Sequence, residues 1–284
     1  MKNNAKQRKK IPNIILALFF LVGLCIFLYP FISDFITVFF QHREIEKYEN
    51  LVSNLCFDEY EKIIKDAQEY NESLTKYKLE ENSENTNNNN YNELLSLDKS
   101  GIMGYLKIDK INVKLPIYHG TGSSVLQKGI GHLEGSSLPV LGKSTHTVLS
   151  GHTGLPSSKL LTDLDKLQIG DIFRIDVLNQ VYTYEVDQIL VVDPEETEYL
   201  EIVDDKQYAT LITCTPYGVN THRLLVRGTL KNNEISSDIQ NSDAVIVDLN
   251  FVIIIVSITC IVFVLFVCIL NKRRGDKVND KKDD

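Results

Sequence analysis

Cysteine is sparse in this chain and never clustered. Five occur in 284 residues, with no CxxC pair and no grouping with histidine. That pattern argues against a zinc site, and no metal or other cofactor is expected. Cys25, Cys260 and Cys268 fall inside apolar runs, where cysteine behaves as a small hydrophobe. Only Cys56 and Cys214 lie between those runs. One reading of the pair is a Cys56–Cys214 disulfide stabilising a non-enzymatic, membrane-anchored β-domain. Arginine is also thin there, with Arg43, Arg174, Arg223 and Arg227 alone between the runs. The net charge is −8, of which residues 1–10 carry +5 and residues 271–284 carry +2, leaving −15 on the middle of the chain. So acidic a middle segment argues against nucleic acid as a partner, and its plain use is solubility.

Charge is missing altogether from two stretches. IPNIILALFFLVGLCIFLY, from Ile11 to Tyr29, and FVIIIVSITCIVFVLFVCIL, residues 251–270, hold no Asp, Glu, Lys or Arg. Each is long enough to cross a bilayer. The first exceeds the apolar core of a signal peptide and no small-x-small cleavage site follows it directly, so it reads as a retained anchor. Cations flank both runs on their terminal sides, which puts both termini in the cytoplasm and the intervening chain outside the cell membrane. The expected layout is a basic cytoplasmic tail over 1–10, a transmembrane helix over 11–31, a second over 250–270 and a cytoplasmic tail over 271–284.

Glycine and proline are absent from residues 43–80, where Ile45, Tyr48, Leu51, Val52 and Leu55, then Tyr60, Ile63, Ile64 and Ala67, recur at helical steps. The spacing predicts an amphipathic helix or helical pair within an extracellular segment over 32–79. EENSENTNNNN, residues 80–90, is polar and of low complexity. From Gly104 the period changes to two. YLKI, VKLPIY, THTVLSGH, DIFRIDVLNQVYTYEVDQILVV, YATLITC and HRLLVRG read as strands, with Asn179-Gln180 as a hairpin turn. SSVLQKGIG and SSKLLTDLDKL suit short helices. Seven or eight strands over 101–232 suggest a mostly antiparallel barrel, followed by a polar stalk over 233–249.

One stretch of this region carries chemistry. In TLITCTPYGVNTHRLLVRG, residues 210–228, Cys214 ends one strand, and the turn residues Pro216, Gly218 and Asn220 lead to Arg223 at the start of the next. A thiolate nucleophile needs a proton donor for its leaving group, and histidine suits that task near neutral pH. His152, in VLSGHTG, stands at a strand end flanked by glycines. His222 is the nearest in sequence, with His119 and His146 as further alternatives. Arg223 and Arg227 share a strand face, and Arg223 is nearer the loop end, where sites tend to lie. No acidic residue stands out as a third member.

TLITC, with SGHTG upstream and HRLLVRG downstream, resembles the sortases, and class C, the pilin polymerases of Gram-positive bacteria, most of all. GYLKIDKINVKLPIYHGT, GIGHLEGSSLPVLGKSTHTVLSGHTGLP and TCTPYGVNTHRLLVRG carry the likeness across roughly residues 91–230. The resemblance implies a mostly β fold: an eight-stranded sortase-type barrel with short helices, preceded by a helical segment and flanked by two transmembrane helices. It implies Cys214 as nucleophile, His152 as acid and base, and Arg223 as the positioning or oxyanion residue. It further implies transpeptidation. An LPXTG-like sorting signal is cut between Thr and Gly through a thioacyl intermediate, which a lysine of the next pilin resolves as an isopeptide bond. Attachment of single surface proteins to the cell wall, or hydrolysis, is the alternative within the same chemistry. Class C sortases typically carry an Asp-Pro-aromatic lid over the cysteine. This chain has no proline between Pro30 and Pro116. Residues 80–100 are therefore either a lid lacking that anchor, with Asp98, Leu94, Leu95 and Leu97 as a substitute plug, or a linker.

Overall fold

The computed structural model describes residues 13–79, 91–155 and 158–235, together with Thr259 and Phe263. The tail over 1–10, the Asn-rich tract over 80–90, the stalk beyond residue 235, the C-terminal tail and all but two residues of the second apolar run lie outside the described residues. The chain divides into two units, Met1–Phe35 with Asp243–Asp284, and Ile36–Ser242. Within the first unit, the ring of Phe263 stacks on Phe20 at 6.3 Å.

A single helix, α1 (Asn13–Ser53), takes up the first apolar run and continues without a break at residue 31, with Pro30 inside it. Among the described residues it is the one helix long and apolar enough to cross a membrane. Helix α2 (Phe57–Leu79) follows after a short corner, so residues 43–80 form a helical pair. The pair is held to the barrel because its apolar stripe, Ile45, Tyr48, Val52 and Ala67, is buried. Buried polar contacts fix the register. Tyr48 Oη donates to Met103 O (3.0 Å) and accepts from Leu178 N–H (3.0 Å). Asn71 exchanges two hydrogen bonds with the Leu138 backbone.

The barrel is built from β1 (Ile102–Ile108), β2 (Val113–His119), β3 (Ile130–His132), β4 (Thr145–Ser150), β5 (Ile172–Val177), β6 (Gln180–Val192), β7 (Gln207–Thr215) and β8 (His222–Ile235), with helix α3 (Ser123–Leu126) between β2 and β3. The strands close in the order β1-β2-β3-β4-β7-β8-β6-β5. Six of the eight pairings are antiparallel, while β2–β3 and β4–β7 run parallel. Three details differ from the sequence pattern. The three-residue β3 is too short to show a period. Strand β8 runs on to Ile235, three residues into the expected stalk. The β5–β6 hairpin turns on Leu178-Asn179 rather than Asn179-Gln180, with φ of 49° and 63°. Leucine is a poor residue for the left-handed region. Here it is fully buried and its N–H is held by Tyr48, which offsets the local cost.

Residues 91–100 belong to this packed unit. Tyr91 and Leu95 are buried. Tyr91 Oη lies 2.8 Å from His132 Nδ1 and accepts from Gly120 N–H at 3.1 Å. Asp98 pairs with Lys47 of α1 at 2.5 Å.

Candidate active site

Strand register assembles the site. In the parallel β4–β7 pair Ser150 stands opposite Ile212, and just beyond the strand end Gly151 N–H donates to Ile212 O (3.0 Å). That register, carried on, sets His152 beside Cys214. On the other side of Cys214, Arg223 is its direct partner in the antiparallel β7–β8 pair. Val192 at the end of β6 is in turn opposite Arg223. One level of the barrel wall therefore reads Cys214, Arg223, Val192, with about 4.8 Å from strand to strand, and the β4 register extended two residues past the strand end falls on His152.

Alternation assigns the face. Ala209 and Leu211 of β7 lie in the barrel core, and Thr213 points the same way. Tyr208, Thr210, Ile212 and Cys214 point outward. Outward with them point His146, Val148, Ser150 and His152 from the β4 side and Arg223, Leu225 and Arg227 from β8. Val148, Thr210 and Leu225 are nonetheless buried. Residues 193–206 cover them. This segment leaves β6 beside Arg223 and must rejoin β7 at Gln207, opposite Thr145, at the far end of the strand. It starts with Asp193 Oδ1 3.4 Å from His222 Nε2, reaches His146 Nδ1 through Glu201 O (2.8 Å), and ends with Lys206 O accepting from Thr145 N–H (2.9 Å). The segment 193–206 thus lies along the outer face of the barrel wall, from the Arg223 end of β8 to the Thr145 end of β4.

The turn bearing His152 is pinned from below. Leu161 N–H donates to His152 O (3.2 Å), and Gly154 N–H donates to Thr162 Oγ1 (3.1 Å). A Cβ on Gly151 would come within 2.7 Å of both Ile130 Cδ1 and Leu161 Cδ1, so any larger residue there would have to displace those two side chains. The β7–β8 loop reaches the same turn, because a Cβ on Gly154 would lie 3.1 Å from the Tyr217 ring. Pro216, Gly218 and Asn220 form that loop as their residue types suggest, with Pro216 O accepting from Val219 and Asn220 N–H and with positive φ at Gly218 and Asn220.

The two arginines are not equivalent. Arg223 Nη1 donates to Asn220 O (3.3 Å) and His222 O (3.1 Å), and among the described residues its other N–H groups have no acceptor. Arg227 is committed to the fold. Its Nε and Nη2 grip both oxygens of Asp187 (2.9 and 3.0 Å), and its guanidinium covers the Tyr208 ring at 4.2 Å. The alternative histidines are similarly occupied. His222 is exposed and turned to Thr221 and Asp193. His119 lies between Gly101 O and Leu94 O. His146 lies between Glu201 O and Thr210 Oγ1. His132, weighed for no role in the sequence, is wholly buried, and that burial pushes its imidazole down to about 4. The Cys56–Cys214 disulfide is corrected: both thiols are free, with Cys56 exposed at the α1–α2 corner and Cys214 in the barrel wall. Among the described residues no cluster of His, Cys, Asp and Glu has the grouping a metal ion needs.

What sequence reading missed are the supports Leu161, Thr162 and Asp187, and the structural use of His146, which was read there as an alternative acid and base and is here a partner of Glu201 O and Thr210 Oγ1. The glycines around His152 were the one visible signal, since a flanking glycine at a strand end marks close approach.

A sortase-domain family model matches residues 106–231. Among solved structures, sortase C1 of Streptococcus agalactiae is 52% identical, covering 68% of this chain and 100% of that one, with a TM-score of 0.62. Sortase C of Clostridium perfringens, solved with the C-terminal cell wall sorting motif, is 44% identical over 67% of this chain and 98% of its own, with a TM-score of 0.58. Sortase D of Bacillus subtilis is 33% identical over 114 residues, 40% of this chain. The match spans about half the length of that curated relative (54%) and of Streptococcus agalactiae sortase A (56%).

Proposed function

Because the chain belongs to the sortase family and its structural relatives are class C sortases, we propose that it is a membrane-anchored cysteine transpeptidase that joins pilin subunits. What supports the reading is the direct pairing of Cys214 with Arg223, together with a β4 register that leads on from Ser150–Ile212 towards His152. The Cys214 thiolate attacks the Thr carbonyl carbon of an LPXTG-like sorting signal laid along the outward face. Negative charge moves to the carbonyl oxygen, which Arg223 stabilises through its free N–H donors. His152, as imidazolium, gives its proton to the departing Gly amine, and a thioester remains on Cys214. A lysine amine of the next pilin then attacks the thioester. His152 takes the proton from that amine, the isopeptide bond forms and the thiolate leaves. Because β7 lies between β4 and β8, this reading has the proton and the oxyanion handled from separate sides of Cys214.

The partners are pilin or other surface proteins bearing the sorting signal, an acceptor lysine and the membrane. Helix α1 supplies one anchor. The second apolar run supplies the other, with both termini cytoplasmic and the barrel extracellular.

The test is incubation of the full-length chain in detergent with an LPXTG-containing peptide, followed by mass spectrometry. An adduct on Cys214 equal in mass to the peptide through Thr is expected, and transfer to a lysine-bearing pilin fragment should follow. An unmodified Cys214 refutes the activity. An adduct that passes to a cell-wall amine but not to pilin lysine refutes polymerisation and leaves single-protein attachment.

A further inference from the structure

A histidine that moves protons commonly has a third group that fixes its ring. Among the described residues the His152 imidazole makes no hydrogen bond, so the backbone of its turn has to place it. Three bonds hold that turn. Gly151 N–H donates to Ile212 O of β7 (3.0 Å), Leu161 N–H donates to His152 O (3.2 Å) and Gly154 N–H donates to Thr162 Oγ1 (3.1 Å). A further contact comes from the β7–β8 loop. Gly154 has a φ of 74°, and a Cβ built on it would meet three atoms of the Tyr217 ring at 3.1, 3.4 and 3.4 Å. Glycine meets both demands, because it adopts the left-handed conformation and leaves room for the ring. Tyr217 is nonetheless 69% exposed, and among the described residues its hydroxyl has no hydrogen-bond partner. An aromatic ring left so open contributes little to the core. Its loop is tight: Pro216 O accepts from Val219 N–H (3.0 Å) and Asn220 N–H (2.9 Å), and Asn220 O accepts from Arg223 Nη1 (3.3 Å). The loop that leaves the cysteine strand thus touches the arginine at one point and the histidine turn at another.

We infer that Tyr217 is a positioning residue for His152: its ring, resting on Gly154, ties the histidine turn to the loop that follows Cys214. It gives and takes no proton in the reaction. With the ring in place, the turn is braced both by residues 161–162 and by the chain that carries the nucleophile, so imidazole and thiol keep a fixed spacing. Without the ring, the turn keeps its hydrogen bonds but gains freedom to swing away from the loop. Proton transfer then slows while peptide binding is left as it was. The contact is made by the ring and not by the hydroxyl, so phenylalanine serves in place of tyrosine.

Tyr217→Ala and Tyr217→Phe, each made in the full-length chain in detergent, test this. Amide hydrogen exchange over residues 151–162 is expected to be about tenfold faster in Tyr217→Ala, near wild type in Tyr217→Phe, and unchanged in β4 and β7 in both. Because the side chain is so exposed, Tm should stay within about 2 °C of wild type in both variants. With a fluorogenic LPXTG peptide as probe, Tyr217→Ala should lower kcat about ten- to a hundredfold with KM held within about twofold, and Tyr217→Phe should match wild type. A rise in KM with kcat held means that Tyr217 touches the peptide itself and overturns the inference. So do unchanged exchange over 151–162 in Tyr217→Ala, faster exchange spread through β4 and β7, or a Tyr217→Phe variant as impaired as Tyr217→Ala. The kinetic readout rests on the proposed transpeptidase activity and the exchange readout does not. A wild-type chain that fails to turn over the peptide therefore refutes that activity, while exchange still decides whether Tyr217 holds the histidine turn.

Discussion

Exchanging Arg223 and Arg227 for lysine, one at a time, separates a functional guanidinium from a structural one on the same strand face. Lysine keeps the charge in each case but loses the planar fork. At position 223 the fork is held by two loop carbonyls through one nitrogen, which leaves its other donors available. Losing an oxyanion donor of this kind costs about 10²–10³ in rate, or roughly 3–4 kcal/mol of transition-state stabilisation. Stability should change by less than about 0.5 kcal/mol, because a partly exposed side chain with two weak bonds is lost. At position 227 the balance reverses. The Arg227 and Asp187 side chains are 22% and 31% exposed, and the pair is bidentate and stacked on Tyr208. Replacing it should cost about 1–2 kcal/mol of stability, a drop of a few degrees in Tm, with less than about threefold loss in rate. The assay is kcat/KM on a fluorogenic sorting peptide, with thermal unfolding of the same preparations. If Arg227→Lys loses more activity than Arg223→Lys while its Tm holds, the wrong arginine has been placed in the site and the register argument fails with it.

Cys214→Ala should abolish adduct formation and transfer while leaving circular dichroism and Tm unchanged, and polymerisation by that variant refutes the nucleophile. The stability of the barrel should vary with pH in two opposing ways. Burial holds His132 down to about 4, so an unfolded chain takes up a proton that the folded one refuses, and stability falls as pH drops from 6.5 towards 4. Burial pushes Asp176 up to about 6, so its contribution falls as pH rises from 3.8 towards 6. Asp176→Asn should leave the histidine slope uncovered, with midpoints in chemical denaturation that decline steadily on acidification from 6.5 to 4, and a flat profile contradicts this. Leu95→Ala, at a fully buried site, should cost about 2–5 kcal/mol in unfolding experiments, and a near-neutral result would mean that residues 91–97 are not part of the core. If residues 80–90 act as a lid, their deletion should speed alkylation of Cys214, whereas equal rates identify a linker.

The barrel was legible because its strands alternate and are punctuated by turn residues. β3 was not, because three residues carry no period, and the hairpin was misplaced by one because a buried leucine occupies a turn position normally given to Asn or Gly. The candidate nucleophile and the arginine could be read from TCTPYGVNTHR, where a short loop forces the two strand ends together. The partnership of His152 with Cys214 could not be read from spacing. It depends on a parallel pairing between strands 62 residues apart, fixed by Ser150 opposite Ile212. The lid question divides for a similar reason. Tyr91 and Leu95 look like an isolated apolar scrap in the sequence, but Tyr70 of α2 and the histidines His119 and His132 of β2 and β3 offer Tyr91 a prepared surface.

Closure of the barrel has a consequence for how an extended peptide can be held. Every strand has a neighbour on both sides, so no strand is exposed along its full length. An extended peptide finds no free edge strand on which to add itself along its whole length. Most of its backbone is left to side chains and loop amides that lie over the sheet. Recognition then falls mainly to the segments that lie over the barrel, and these can diverge without disturbing the strand register that pairs Cys214 with Arg223. The same closure leaves a second copy of the chain no full-length edge on which to grow.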